Sequence, residues 1–138
     1  MKKLLPALAL LASTALATTS CQRAATATSP SNTLEGTWRL TGYQCHCPPG
    51  QPVPDESLTI EAGRRFKLYR KQALAAEGTY TTGEGVSCGG GTPEPIITLT
   101  PASADAYAPH GAYTLAGNTL VIDQCSAADG PKYTYTRQ

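Results

Sequence analysis

From Leu34 onward the chain breaks into short runs in which apolar and polar residues alternate, and Gly, Pro, Asn or Asp interrupt them before any helix-length pattern develops. Gly36 to Tyr43 (GTWRLTGY) puts Trp38 and Leu40 on one face and Thr37, Arg39 and Thr41 on the other. Ser57 to Glu61 and Arg65 to Arg70 repeat the pattern, with Leu58, Ile60, Phe66 and Leu68 inward and Lys67 and Tyr69 outward. Gly78 to Thr82, Pro95 to Thr100, Gly111 to Leu115, Thr119 to Asp123 and Lys132 to Thr136 continue it. A period of two, rich in β-branched and aromatic residues, is the mark of half-buried strands.

Ala62-Gly63 and Ala116-Gly117-Asn118 read as tight hairpins, because Gly and Asn tolerate positive φ. Ala73 to Glu77 (ALAAE) is the nearest approach to a helix and is too short to stand alone. About eight antiparallel strands in sequence predict an all-β, small up-and-down barrel, whose closure removes exposed sheet edges.

The N-terminus reads as an address. Lys2 and Lys3 precede the apolar run Leu4 to Ala17, and Thr18-Thr19-Ser20 leads to Cys21. This pattern describes a secretory signal, and the run is short for a membrane span. The cysteine after small residues resembles the bacterial lipoprotein signal, in which that cysteine is lipidated and becomes the new N-terminus. Thr18 stands where that family usually has Leu, and a cut after Ala15-Leu16-Ala17 is the rival, releasing a soluble product. Five cysteines leave one unpaired, and lipidation of Cys21 accounts for it. The expected division is a signal over 1–20, a lipidated cysteine and flexible tether over 21–33, and one barrel domain over 34–138. The expected location is the bacterial cell envelope, with the membrane as partner through the lipid.

Lys2 and Lys3 leave with the signal, so nine Lys/Arg face ten Asp/Glu. No global charge draws the domain toward nucleic acid. The run Arg64 to Lys71 concentrates Arg64, Arg65, Lys67, Arg70 and Lys71, and it reads either as the charged outer face of a hairpin or as a contact for anionic headgroups.

Cys45-His46-Cys47, Cys88 in the glycine-rich stretch Gly83 to Gly91, and Cys125 remain. In an oxidising compartment four cysteines in a small domain predict two disulfides. A direct Cys45–Cys47 ring is discounted as too short. That leaves 45–88 with 47–125, or 45–125 with 47–88. A Cu(I) or zinc site on these residues is the competing reading, set aside because His46 points away from its neighbours and structural zinc spaces paired cysteines further apart. A redox centre would want C-x-x-C at a helix start. His110 reads as a turn residue, Asp55 and Glu56 as turn caps, and Tyr43 and Tyr69 as outward residues suited to a binding surface. With no G-x-S-x-G elbow and no phosphate loop, no enzyme activity, metal or cofactor is expected.

Leu34 to Tyr43 (LEGTWRLTGY) resembles the first strand of the lipocalin superfamily, with its G-x-W motif, and GAYTLAGNTLVI at 111–122 resembles the hairpins of small bacterial lipocalin-like lipoproteins. The resemblance implies a barrel whose narrow end is plugged by Trp38, with a basic residue of the last strand, Arg137, lying across it. It implies a small apolar ligand held in the barrel mouth, with a filled barrel serving as an envelope interaction or scaffold module as the alternative. The short strands and the lack of a helix after the last strand depart from full-length lipocalins.

Overall fold

The computed structural model describes residues 32–138. The alternating runs form β1 (Gly36–Gln44), β2 (Glu56–Glu61), β3 (Arg65–Arg70), β4 (Ala73–Gly85), β5 (Glu94–Pro101), β6 (His110–Ala116), β7 (Thr119–Asp123) and β8 (Lys132–Arg137), with one 3-10 turn at Ser126–Ala128. Each strand pairs antiparallel with its sequence neighbour, and β8 returns to β1 to close an eight-stranded barrel. The predicted all-β, up-and-down architecture is the observed one.

Pairing keeps like faces together. Leu58 lies opposite Leu68 and Ile60 opposite Phe66, while Leu40 faces Tyr135 and Leu120 faces the same tyrosine from β7. These side chains, with Trp38, Ile97, Leu99 and Ile122, are buried along the barrel axis. Each large apolar side chain taken from water contributes about 1.5–3 kcal/mol, and a slip of one residue would turn a whole strand's set outward. The register is therefore strongly specified, and the interior is packed with side chains.

Two bulges depart from strict alternation. Between Leu40 and Gly42 β1 gains a residue against β8, so Tyr43 comes opposite the buried Tyr133 and packs against the core instead of facing outward as expected. In β4 a second irregularity at Ala75 turns Leu74 to the outer face opposite Tyr69. Ala73 to Glu77 is the start of the thirteen-residue β4, and the same strand absorbs Gly83 to Gly85 from the expected glycine loop. His110 opens β6 and is not in a turn.

The connections sort to two ends. Residues 32–35 and the turns at 62–64 and 117–118 lie at the end where β1 begins and β8 finishes. Loops 45–55, 71–72, 102–109 and 124–131 lie at the other. We call these the tryptophan end and the tyrosine end.

Candidate functional site

At the tryptophan end the chain enters across the barrel rim. Trp38 Nε1 donates to the Leu34 carbonyl at 2.8 Å, and the Arg137 guanidinium lies 4.2 Å from the centre of the indole ring. Arg137 also donates to the carbonyls of Glu35 and Thr33, fastening the entering segment. Such a cation over an indole contributes about 0.5–2 kcal/mol. Gly36, at φ 141°, makes the arrangement possible, because a Cβ there would collide with the guanidinium. The spacing Gly-x-Trp therefore has a local cause: the glycine clears the place that the arginine occupies over the tryptophan.

Beside this plug opens a funnel of about 780 Å³, lined by Leu34, Tyr80, Pro95, Tyr113 and Leu115, with Arg64 on its edge. Its floor is the filled core. Paired residues of β5 and β6 run only from Ile96 to Thr98 and from His110 to Ala112, so one wall of the funnel is the part of the barrel where these strands no longer pair. Pro95, with no N–H to donate, suits that position.

The tyrosine end is closed by polar groups. Glu56 is buried, accepts from Tyr135 Oη at 2.6 Å and pairs with Arg70 Nε at 2.8 Å. A buried carboxylate persists only when paired and hydrogen-bonded, and both conditions are met here. Glu56 is thus a buried anchor and not a turn cap, while Asp55 pairs with Arg39 at 3.0 Å. Tyr133 stacks on Tyr135 and meets Tyr43 with their rings tilted, and Tyr107 from the 102–109 loop reaches its hydroxyl at 3.3 Å. Burial, aided by the Tyr107 contact, pushes the Tyr133 phenol well above its ordinary range, and burial beside Glu56 does the same to Tyr135. Tyr107 also bonds to Gln124, which contacts the His110 ring at 3.0 Å. Ala108 and Pro109 of the same loop are buried. The sequence signal for this closure was the alternation of Tyr133 and Tyr135 in KYTYT. The partner on the distant β2 had none.

The cysteines pair as Cys45–Cys47 and Cys88–Cys125. Both pairings expected from the sequence are therefore overturned, and the discounted ring is the one formed. The reason is position: Cys45 and Cys47 follow the end of β1 on a loop free to bend, with Cα atoms 5.2 Å apart, while residues 86–93 fold back along the outer wall and bring Cys88 to within 5.1 Å of Cys125. Under this flap runs an outer cleft of about 650 Å³ between Val86, Ile96, Thr98, His110 and Gln124. Ser87 donates to Glu94 at the flap's base.

The basic run is not one patch. Arg64 and Arg65 lie at the tryptophan end, whereas Arg70 and Lys71 lie at the tyrosine end, with β3 between them. Glu61 holds Lys67 at 3.0 Å and raises its pKa, and Glu56 takes Arg70. Cys21 and the signal and tether up to residue 31 lie outside the described residues. Among the described residues no group of three or more His, Cys, Asp or Glu is arranged to hold a metal.

No protein-family model matches the chain, and no curated protein or solved structure is significantly similar to it.

Proposed function

We propose that this chain is a non-catalytic, lipocalin-like barrel of the bacterial envelope, tethered by a lipid on Cys21, that takes a small apolar molecule in the funnel at its tryptophan end. The observation that carries the reading is the funnel itself. Its volume of about 780 Å³ falls within the ~300–1,000 Å³ range of small-molecule sites, it is walled by Leu34, Tyr80, Pro95, Tyr113 and Leu115, and it sits over an interior with no comparable room. Arg64 lines the funnel as the group that could meet an acidic head on an otherwise apolar ligand, with Glu35 of the same lining as the opposing charge. Asn32, the first described residue, lines this funnel, so a tether from Cys21 would join the domain on the funnel's side.

Trp38, the single tryptophan, bonds to Leu34 of the funnel wall and serves as the reporter. Titration with decanoate is expected to change its emission in a saturable way, and Leu115→Arg is expected to abolish the change. Decanol in place of decanoate isolates the contribution of Arg64. An unchanged spectrum with both compounds up to millimolar concentration would rule the reading out.

A second reading, an interaction module with a filled barrel, is favoured by the opposite end. Of the four exposed large apolar side chains among the described residues, Val53, Leu74 and Tyr107 lie at the tyrosine end, away from the proposed tether. Decanoate binding that survives Leu115→Arg, or fails altogether, would shift attention to that face.

A further inference from the structure

The Cys45–Cys47 ring cross-links nothing distant. One residue separates its cysteines, and it sits after Gln44, where β1 has already completed its pairing with β8. Cys47 is exposed and Cys45 half-buried, beside a crevice of about 200 Å³ shared with His46, Ser126 and Asp129. Two residues of extended chain advance ~6.6–6.8 Å, whereas these Cα atoms are 5.2 Å apart, so closing the bond requires the segment to stay bent. Opening it lets the segment extend and releases no strand. Cys88–Cys125 behaves oppositely, because it joins two separate segments 37 residues apart, and opening it frees the flap from the 124–131 loop.

From this contrast we infer that Cys45–Cys47 is a thiol–disulfide exchange site that accepts two electrons from a dithiol. This activity lies beyond the ligand-binding reading and does not depend on it. A partner thiol loses its proton to solvent and attacks the exposed Cys47 Sγ. The Cys45–Cys47 bond breaks as the mixed disulfide forms, and the electron pair leaves on Cys45, which takes a proton from solvent. The partner's second thiolate then attacks its own bridged sulfur and expels Cys47 as a thiolate, which is protonated in turn. The partner dithiol is oxidised to a disulfide, and the ring is reduced to two thiols. His46, the residue between the two cysteines in sequence, turns its imidazole to the Asp129 carboxylate at 3.5 Å. Exposure favours lability, but Cys88 is exposed and Cys125 half-buried as well, so what sets Cys45–Cys47 apart is the absence of a long-range constraint.

The test uses the folded protein in graded reduced-to-oxidised dithiothreitol, with alkylation of free thiols and peptide mapping by mass. Cys45 and Cys47 are expected to open at a ratio at least ~10-fold lower than Cys88 and Cys125, equivalent to about 30 mV. With reduced glutathione the first adduct is expected on Cys47. A synthetic peptide carrying two cysteines is expected to be oxidised by one equivalent of the wild type and not by Cys45→Ser/Cys47→Ser, whose far-ultraviolet circular dichroism confirms the barrel. Simultaneous opening of both disulfides, a first adduct on Cys88 or Cys125, or a peptide left reduced would each overturn the inference.

Discussion

Cys88–Cys125 joins residues 37 apart in sequence and ties a flap from one end of the barrel to a loop at the other, while Cys45–Cys47 joins residues two apart on a single loop. The bond is the same, and what it restrains is not. In the chain-entropy treatment a cross-link stabilises by removing freedom from the unfolded chain, and the effect grows with the logarithm of the loop closed. The long-range bond is worth ~4 kcal/mol on that basis and the local one ~1.5 kcal/mol. A disulfide that contributes little to folding is the one a protein can open without unfolding.

The contrast breaks most easily at the long-range bond. Cys88→Ala/Cys125→Ala is expected to lower the unfolding free energy by about 4 kcal/mol, read as a shift of the urea midpoint, and to speed amide exchange along the outer face of β5 and β6 under the flap. A loss below ~1 kcal/mol would mean that the flap holds by its own contacts and that the two bonds do not differ in role. The matching variant, Cys45→Ala/Cys47→Ala, is expected to cost no more than ~1.5 kcal/mol and to leave amide exchange in β1 and β8 unchanged. A cost equal to that of the other pair would show that the ring shapes the 45–55 loop as a structural element.

The disulfides also mark where the sequence is legible. Alternation at Trp38 and Leu40, at Leu58 and Ile60, and at Phe66 and Leu68 is a local pattern with one physical cause, so the strands and their inward faces are readable from it. The Gly36–Trp38 spacing is readable as well, and its partner Arg137 entered through a family resemblance. Tyr43 and Leu74 were not readable, because a bulge depends on the register against a neighbouring strand and leaves no mark in its own. Glu56 was missed for a related reason: Tyr135, which binds its carboxylate, is 79 positions away. The cysteine pairing failed because a return of residues 86–93 along the outer wall is a tertiary event, and the glycines there announce only that the chain can bend. Of the candidate site, Leu34, Tyr80 and Tyr113 lay inside strands or at their edges with nothing to distinguish funnel lining from core.

A smaller effect sharpens the comparison at the loop that presents Cys125. Asp123 accepts from both Ser126 N and Ser126 Oγ at 2.7 Å, with Lys132 Nζ 3.5 Å away. Partial burial works against its charge, but the Ser126 hydrogen bonds and then Lys132 outweigh it and hold the carboxyl below its ordinary range. A folded-state pKa below the unfolded value of ~3.9 gives stability that is present above that pH and fades as pH falls through the folded value. Asp123→Asn is expected to lose about 1 kcal/mol at pH 7, with the gap to wild type closing in urea titrations below about pH 4. A gap independent of pH would assign the effect to shape and not to charge.

The smallest effect concerns a local bend with no covalent bond. The β3–β4 hairpin turns on Lys71 and Gln72, at φ 49° and 65°, a left-handed pair that two-residue hairpins usually fill with Asn-Gly. Neither residue signals a turn, which is why the following Ala73 to Glu77 looked closest to a helix. Lys71→Asn/Gln72→Gly relieves the side-chain crowding at positive φ, but the glycine adds freedom to the unfolded chain, so the net gain is expected to be about 0.5 kcal/mol in urea unfolding. That scale is what a restraint between near neighbours should reach, by preference as by the Cys45–Cys47 bond. A gain of several kcal/mol would show that local restraints at the tyrosine end govern the stability of the whole barrel, and the small stabilising role given to Cys45–Cys47 would then be wrong.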